Sequence, residues 1–298
     1  MGDSPINLKF YKGSDMYCDG AIEDEILQIV QSEEPLSNVL KRRTDWAILY
    51  HLSDMRENIL EWYDFKPNAS TLEIGSGCGA VTGVLCRKSE RVTCIDLSLK
   101  RSQINAERNK EYDNFEILVG NFEDIEIEQK YDYVTLIGVL EYAASYIHDE
   151  RPFNAMLKKI KGYLKDDGVL IIAIENKNGM KYWSGAREDH TAVFFDGIQN
   201  YIDVDIVKTF SKPEITKLLR AELFENIKFY YPVPDYKLPR AIYSEDYLPE
   251  PGDIRYHSAA YDRDRLRLFD EDIAMDGMCR DGQYEYFANS FLIFASAK

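Results

Sequence analysis

Leu72-Glu-Ile-Gly-Ser-Gly-Cys-Gly-Ala-Val-Thr-Gly83 decides the fold of this 298-residue chain. Ala69, Leu72 and Ile74 make a short apolar run before the glycines, and Val81, Val84 and Leu85 follow at helical spacing. A strand therefore turns through a glycine loop into a helix. Gly75, Gly77 and Gly79 alternate in that loop, with the acid Glu73 two residues ahead of the first. Glycines are needed where backbone must turn tightly and approach a ligand that a Cβ would hold off. Arg91-Val-Thr-Cys-Ile-Asp96 reads as the next strand. It ends in an acid about 20 residues past the glycines, the place where nucleotide-binding α/β folds take ribose hydroxyls. An isolated glycine triplet is only a tight turn. Strand, loop, helix, strand and terminal acid in this order point to a nucleoside-bearing ligand.

Two kinds of cofactor share that layout. Gly75, Gly77 and Ala80 satisfy Gly-x-Gly-x-x-Ala, which keeps an NAD-dependent sugar oxidoreductase open. Glu73 and Gly79 weigh against it, because a pyrophosphate wants helix amides and no nearby anion. A carboxylate under the loop better suits a ligand with a cationic amino-acid end. The pattern resembles the class I S-adenosylmethionine-dependent methyltransferases, from around Thr44 to the C-terminus. That resemblance implies an α/β fold, a doubly wound, seven-stranded, mostly parallel sheet whose last strand enters antiparallel between strands five and six. It also implies S-adenosylmethionine as cofactor and methyl transfer as activity.

The resemblance assigns residues as well. Glu73, Gly75, Ser76, Gly77 and Gly79 would lie under the methionine part of the donor, Asp96 would bind both ribose hydroxyls, and Leu97 would cover one adenine face. In Gly120-Asn121-Phe122-Glu123 the family usually has an acid where Asn121 stands, but an amide oxygen can accept the same hydrogen bond from adenine. Asn121 and Phe122 are therefore expected at the adenine, against the plainer reading of a turn and a core Phe. Ile137-Gly-Val-Leu-Glu-Tyr142 matches the segment that backs the donor, with the Gly138 carbonyl meeting its ammonium group. The family's Asn/Asp-Pro-Pro-Tyr/Phe motif is absent at this place, which counts against nucleobase and glutamine acceptors.

Methyl transfer asks the protein to align donor and acceptor and, for an oxygen acceptor, to help remove a proton. The loop Glu175-Asn-Lys-Asn-Gly-Met-Lys-Tyr-Trp-Ser-Gly-Ala-Arg-Glu-Asp-His190 follows a strand's carboxyl end, where ligands gather in this fold. His190 is the only one of four histidines in such a loop; His51 lies on a helix, His148 in a charged loop and His257 in an insertion. With an ordinary imidazole pKa it would serve as general base, with Glu188 orienting or biasing it and Tyr182 as a further candidate. A surface His among acids is the plain alternative. No metal is expected, since nothing else ligand-like is spaced to complete a site.

Composition narrows the partners. Lys and Arg number 36 against 52 Asp and Glu, a formal charge of -16, which argues against a phosphate-tracking surface and for no nucleic-acid partner. The short basic runs Lys41-Arg42-Arg43 and Lys158-Lys159 with Lys161 read as solvated faces. Cys18, Cys78, Cys86, Cys94 and Cys279 contain no C-x-x-C pair, which suits reduced thiols in a cytoplasmic protein. With no apolar run of spanning length and no leader pattern, no membrane insertion is expected.

Residues 1–66 read as an N-terminal helical cap and 67–298 as the methyltransferase domain. Helices are expected over Glu23–Gln31, Thr44–Asp64, Ser102–Asn109 and Phe153–Leu164, and from a capping box at Ser211-Lys-Pro-Glu214. Beyond the first two strands, others are expected at Phe115–Val119, Tyr131–Ile137, Val169–Ile174, Ile227–Tyr231 and Asn289–Ala297. Residues 232–285 form an acceptor-side insertion between the last two strands, too long to be plain loop. Tyr231, Tyr236, Tyr243, Tyr247, Tyr256 and Tyr261 crowd into this region, as acceptor-cleft walls or as subdomain packing.

Ile174-Glu-Asn-Lys-Asn-Gly-Met-Lys-Tyr182, Glu188-Asp-His190, Tyr231-Pro-Val-Pro-Asp-Tyr-Lys-Leu-Pro239 and Ala288-Asn-Ser-Phe-Leu292 resemble a bacterial methyltransferase branch associated with surface-polysaccharide biosynthesis, sometimes fused to glycosyltransferases. Glu222-Leu223 departs from its usual Ala-Gly. The resemblance implies O-methylation of a sugar, glycan precursor or other small molecule, with a glycosyltransferase as partner. A non-catalytic S-adenosylmethionine-binding partner of a glycosyltransferase is the alternative outside enzymology.

Overall fold

The computed structural model describes residues 4–14, 20–202, 206–255 and 265–298. Cys18, Tyr256, His257 and Tyr261 lie outside the described residues. The chain divides into two compact units, Met1–Leu136 with Gly162–Gly168, and Ile137–Lys161 with Val169–Lys298.

The first unit carries β1 (Ile6–Asn7), β2 (Ser70–Ile74), β3 (Arg91–Asp96), β4 (Phe115–Val119) and β5 (Tyr131–Ile137). Their order is β1-β4-β3-β2-β5, and all the pairings are parallel. Leu72 stands opposite Thr93 on one side and Val134 on the other. Residues 71–74 of β2 and 92–96 of β3 are buried without alternation, as in a parallel sheet covered on both faces. Parallel strands present their carboxyl ends at one edge, so the loops after β2, β3 and β4 share it.

Helices over Ile22–Gln31, Leu36–Arg42 and Trp46–Leu52 belong to this unit. Ile26, Val30, Val39, Ile48 and Leu52 pack with Ile104 of the helix Leu99–Arg108 and with Cys78 of the glycine loop. The single helix expected over Thr44–Asp64 is broken. Ser53 is extended (φ -66°, ψ 131°), and its hydroxyl accepts the Met55 N–H at 3.3 Å to start a 3-10 turn at Asp54–Glu57. A Ser that caps the next turn competes with continuing the helix, although the apolar period runs on through it.

The second unit carries β6 (Leu164–Glu175, entering it at Val169), β7 (Glu225–Val233), β8 (Ala241–Ser244) and β9 (Ser290–Ser296), in the order β6-β9-β7-β8. β9 runs antiparallel to both β6 and β7, as the resemblance implies. The described strands number nine, not seven. The additions are β1, a two-residue pairing with Ile117–Leu118, and β8, a hairpin return onto β7. The capping box at Ser211 and Glu214 starts the helix Lys212–Ala221.

The insertion has structure of its own, with helices at Glu271–Arg280 and Tyr284–Phe287. The Leu268 amide donates to the Ser184 carbonyl at 2.8 Å, and Arg265 bonds both Ser184 and Glu271. Tyr231, Tyr236 and Tyr284 are buried, and the rings of Tyr231 and Tyr284 meet edge to face at 5.6 Å. For these tyrosines packing is what the structure displays. In the first basic run Arg42 pairs with Glu34 and Arg43 with Glu25 and Asp45.

Within the first unit, Glu23 Oε1 accepts from Arg101 Nε at 2.7 Å, both side chains at least nine-tenths buried. Breaking one side strands a buried charge, so Glu23→Ala should destabilise the protein by about 3–5 kcal/mol. The double replacement Glu23→Met with Arg101→Met should recover most of that loss in urea denaturation. An unchanged midpoint for Glu23→Ala would refute this account.

Candidate functional site

In the first unit the glycine loop is tied to the end of β3. Gly75 and Ser76 amides donate to the Ile95 carbonyl at 2.8 and 3.1 Å. Asp96 Oδ2 accepts the Gly77 amide at 2.7 Å, and Asp96 Oδ1 accepts the Ser98 amide at 2.9 Å. Burial raises the Asp96 carboxyl above the usual range even though both amides pull it down. Each carboxylate oxygen keeps acceptor capacity for a further hydrogen bond.

Gly77 has φ +53°, and a Cβ built there meets no atom within 4 Å. Beside it the buried Ser76 hydroxyl has no hydrogen-bond partner among the described residues. Open space over the loop, an orphaned hydroxyl and a buried carboxylate are what a nucleoside donor with a polar amino-acid tail needs. These residues fit S-adenosylmethionine. Gly79 has another reason to be glycine. With φ +76°, its Cβ would collide with Asn105 and stand 2.5 Å from Asn109 Nδ2.

Glu73 sits beneath the loop among protein partners. Thr82 Oγ1 donates to its Oε2 at 2.6 Å and Cys94 Sγ at 3.3 Å, while Asn109 donates to Asn105 Oδ1 and Asn105 to Thr82. Burial pushes its carboxyl up to about 7. Leu97 is half-buried beside Asp96. Asn121 Oδ1 accepts the Glu123 amide at 3.1 Å, and Phe122 is buried edge-on to Tyr163.

The second unit holds Gly138 and the proposed catalytic loop. Gly138 takes φ +71°, and a Cβ there would stand 2.8 Å from the Tyr236 hydroxyl. His190 is surrounded by polar groups from several elements. Its Nε2 lies 3.5 Å from Glu175 Oε2, and its Nδ1 meets the Tyr142 hydroxyl at 2.9 Å. Glu175 Oε1 accepts from Lys237 Nζ at 2.7 Å and from the Tyr236 hydroxyl at 3.2 Å. Asp189 Oδ2 accepts from both Lys181 and Lys237 at 2.7 Å. Glu141, in the turn after β5, completes the cluster with Glu175 and His190.

Electrostatics here alter the expected chemistry. Burial alone would lower His190, but Glu175, Glu141 and Glu188 outweigh it and hold the imidazole at about 9. An imidazolium has no lone pair to take a proton, so these acids favour the form of His190 that is not a general base. Burial also raises Glu141, to about 8, with the Glu175 charge adding to the effect. Burial opposes ionisation of Glu175 too, yet Lys237, His190 and Lys181 hold it well below the usual carboxylate range.

The two other catalytic candidates are placed apart in role. Glu188 Oε2 accepts the His190 and Thr191 amides at 2.7 Å, and Oε1 accepts the Tyr201 hydroxyl at 3.1 Å; it braces the loop. Tyr182 is buried, and burial first, then Asp189 and Glu188, raise its phenol well above the ordinary value. Glu175 had a sequence signal, since it directly follows the apolar run of an expected strand. Lys237 and Tyr236 come from the insertion, and no spacing announces them.

Residues 72–170 match one protein-family description. The description reads methyltransferase domain. A ribosomal RNA small subunit methyltransferase A of Borreliella afzelii is 35% identical over 78 residues, covering 26% of this chain and 28% of the relative. A malonyl-[acyl-carrier protein] O-methyltransferase of Priestia megaterium is 27% identical over 111 residues, 37% of this chain and 38% of the relative. The chain thus spans only 28% and 38% of the length of these relatives. A crystal structure of a SAM-dependent methyltransferase from Archaeoglobus fulgidus superposes with a TM-score of 0.50 at 13% identity, covering 85% of this chain and all of that one. The fold is that of the S-adenosylmethionine-dependent methyltransferases. Domain match and fold together support S-adenosylmethionine over a dinucleotide as cofactor. No helix among the described residues is long and apolar enough to cross a membrane.

His190 keeps its proton more tightly folded than unfolded, and so does Glu141. Their contribution to stability is therefore present at low pH and lost as pH rises, through about 8 for Glu141 and about 9 for His190. In chelator-treated protein, NMR of the His190 imidazole should give a midpoint near 9, and Glu175→Gln should move it down by at least one unit. A His190 midpoint near 6.5 in the unsubstituted protein would contradict this electrostatic picture.

Proposed function

We propose that this chain is an S-adenosylmethionine-dependent methyltransferase acting on an oxygen of a sugar, a glycan precursor or another small molecule. The observation that carries the reading is the coincidence of the methyltransferase-domain match over residues 72–170 with the Gly77–Asp96 cradle inside it. Glu73, Gly75, Ser76, Gly77 and Asp96 hold the donor, with Asp96 on the ribose hydroxyls, and the family resemblance assigns its amino-acid end to the Gly138 carbonyl. Leu97, Asn121 and Phe122 border the adenine. Bound S-adenosylmethionine supplies a methyl already activated by a sulfonium, so the protein's part is alignment and removal of a proton.

The acceptor class rests on the narrower resemblance to the surface-polysaccharide branch, which also brings a glycosyltransferase partner into the proposal. RNA is the competing acceptor, because one relative's name carries ribosomal RNA. The earlier expectation of no nucleic-acid partner gains no support from that relative. The formal charge of -16 still favours the small-molecule reading, since an RNA backbone is met by Lys and Arg.

Calorimetry should show S-adenosylmethionine and its demethylated product binding the wild type, with Asp96→Ala weakening both by about 2–4 kcal/mol through two lost charge-assisted hydrogen bonds. Unchanged affinity in that variant, or NAD binding in its place, would refute the donor assignment. A radiolabelled-methyl screen over nucleotide sugars, lipid-linked glycans, small phenols and small-subunit ribosomal RNA then reads the acceptor. Label entering the RNA arm alone would overturn the sugar and small-molecule reading.

A further inference from the structure

We propose that Glu141, Glu175 and His190 bind one divalent first-row transition ion of the manganese or zinc kind. One ligand atom from each residue lies within 4.8 Å of the other two. Bonds of about 2.0–2.2 Å to such an ion put its ligands up to ~4.4 Å apart, so only a small inward shift is needed. The acids alone would not make the case. The deciding observation is that Glu141 Oε2, Glu175 Oε2 and His190 Nε2 are all buried and without a hydrogen-bond partner among the described residues. The Glu141 and Glu175 residues are at most 1% exposed, and the His190 side chain is 7% exposed. His190 Nε2 and Glu175 Oε2 face each other only as a long ion pair at 3.5 Å, and Glu141 Oε2 is left with no partner among the described residues.

The outward atoms of the same groups are held. With Nδ1–H donating to the Tyr142 hydroxyl at 2.9 Å, an arriving ion that displaces the Nε2 proton of His190 takes Nε2 as its ligand nitrogen. Lys237 and Tyr236 occupy Glu175 Oε1, which turns Oε2 inward. Glu188 fixes the backbone of His190, and the Lys208 amide donates to the Glu141 carbonyl at 3.0 Å. The nearby ammonium groups do not leave the place cationic, because Asp189 pairs with Lys181 and Lys237, and Asp235 stands 3.8 Å from Lys181. One imidazole with two carboxylates suits manganese or zinc better than magnesium or calcium, whose preference is oxygen alone. Three protein ligands leave coordination positions for water or an acceptor oxygen. This proposal stands on geometry within one unit and does not depend on the methyl-transfer reading.

The test uses the full chain, stripped with chelator and titrated with Mn²⁺, the free ion being read by electron paramagnetic resonance and Zn²⁺ added as competitor. One ion per chain is expected, displaced by Zn²⁺. Glu141→Gln and Glu175→Gln should each raise the Kd at least tenfold, and Tyr142→Phe, which keeps all three ligands, should raise it about 10–100-fold. Circular dichroism confirms the fold of each variant; should a ligand variant fail to fold, Tyr142→Phe decides. A wild type that takes up neither ion at millimolar concentration overturns the site, as does a folded Tyr142→Phe binding as tightly as the wild type. S-adenosylmethionine affinity, measured on the same samples, separates failure of this site from failure of the donor assignment.

Discussion

Asp96 is the constraint on which the first unit's site depends. A carboxylate at a strand's end accepts the Gly77 amide with one oxygen and the Ser98 amide with the other. It thereby fixes the glycine loop of one strand–helix connection against the start of the next helix. Burial makes this arrangement demanding, since an ionised carboxylate away from water must be fully supplied with donors. The backbone supplies two of them, and the group retains capacity for more. A residue that holds the loop on one side and the next helix on the other cannot change without disturbing both.

The second unit solves a different electrostatic problem. Glu175 is wholly buried, and it stays ionised because Lys237, His190 and Lys181 surround it. The lysines are in turn matched by Asp189. Charges are thus arranged in an alternating cluster, where no single partner suffices and each removal strands another. Inside it, Glu141 and His190 hold protons that exposed groups of the same kind would have released at neutral pH. A reading of His190 from its type alone gives it the wrong protonation state, because three acids surround it.

The parallel strands and the glycine loop were legible because each carries its own punctuation: an apolar run, a turn, and an acid at the strand's end. The antiparallel placement of β9 came from resemblance, not from its residues. β1 was not legible, since two residues have no period. The break at Ser53 was hidden because apolar spacing continues on either side of it. The Glu141, Glu175, His190 and Lys237 cluster was legible only in part. Its members come from a turn after β5, the end of β6, a long loop and the insertion, and folding alone brings them together. Asn121 carries a role borrowed from family position alongside a local turn that its own side chain closes.

Beneath the loop, Asn109 donates to Asn105, Asn105 to Thr82, and Thr82 to Glu73. Every link points the same way, towards one buried carboxyl, and Gly79 leaves the space through which the chain runs. The glycine motif is therefore not a portable cassette. Transplanted into another scaffold without the two asparagines of the following helix, it would bring an acid that nothing beneath it is arranged to receive. In descendants of this sequence Glu73, Thr82, Asn105 and Asn109 should be inherited or replaced as a set.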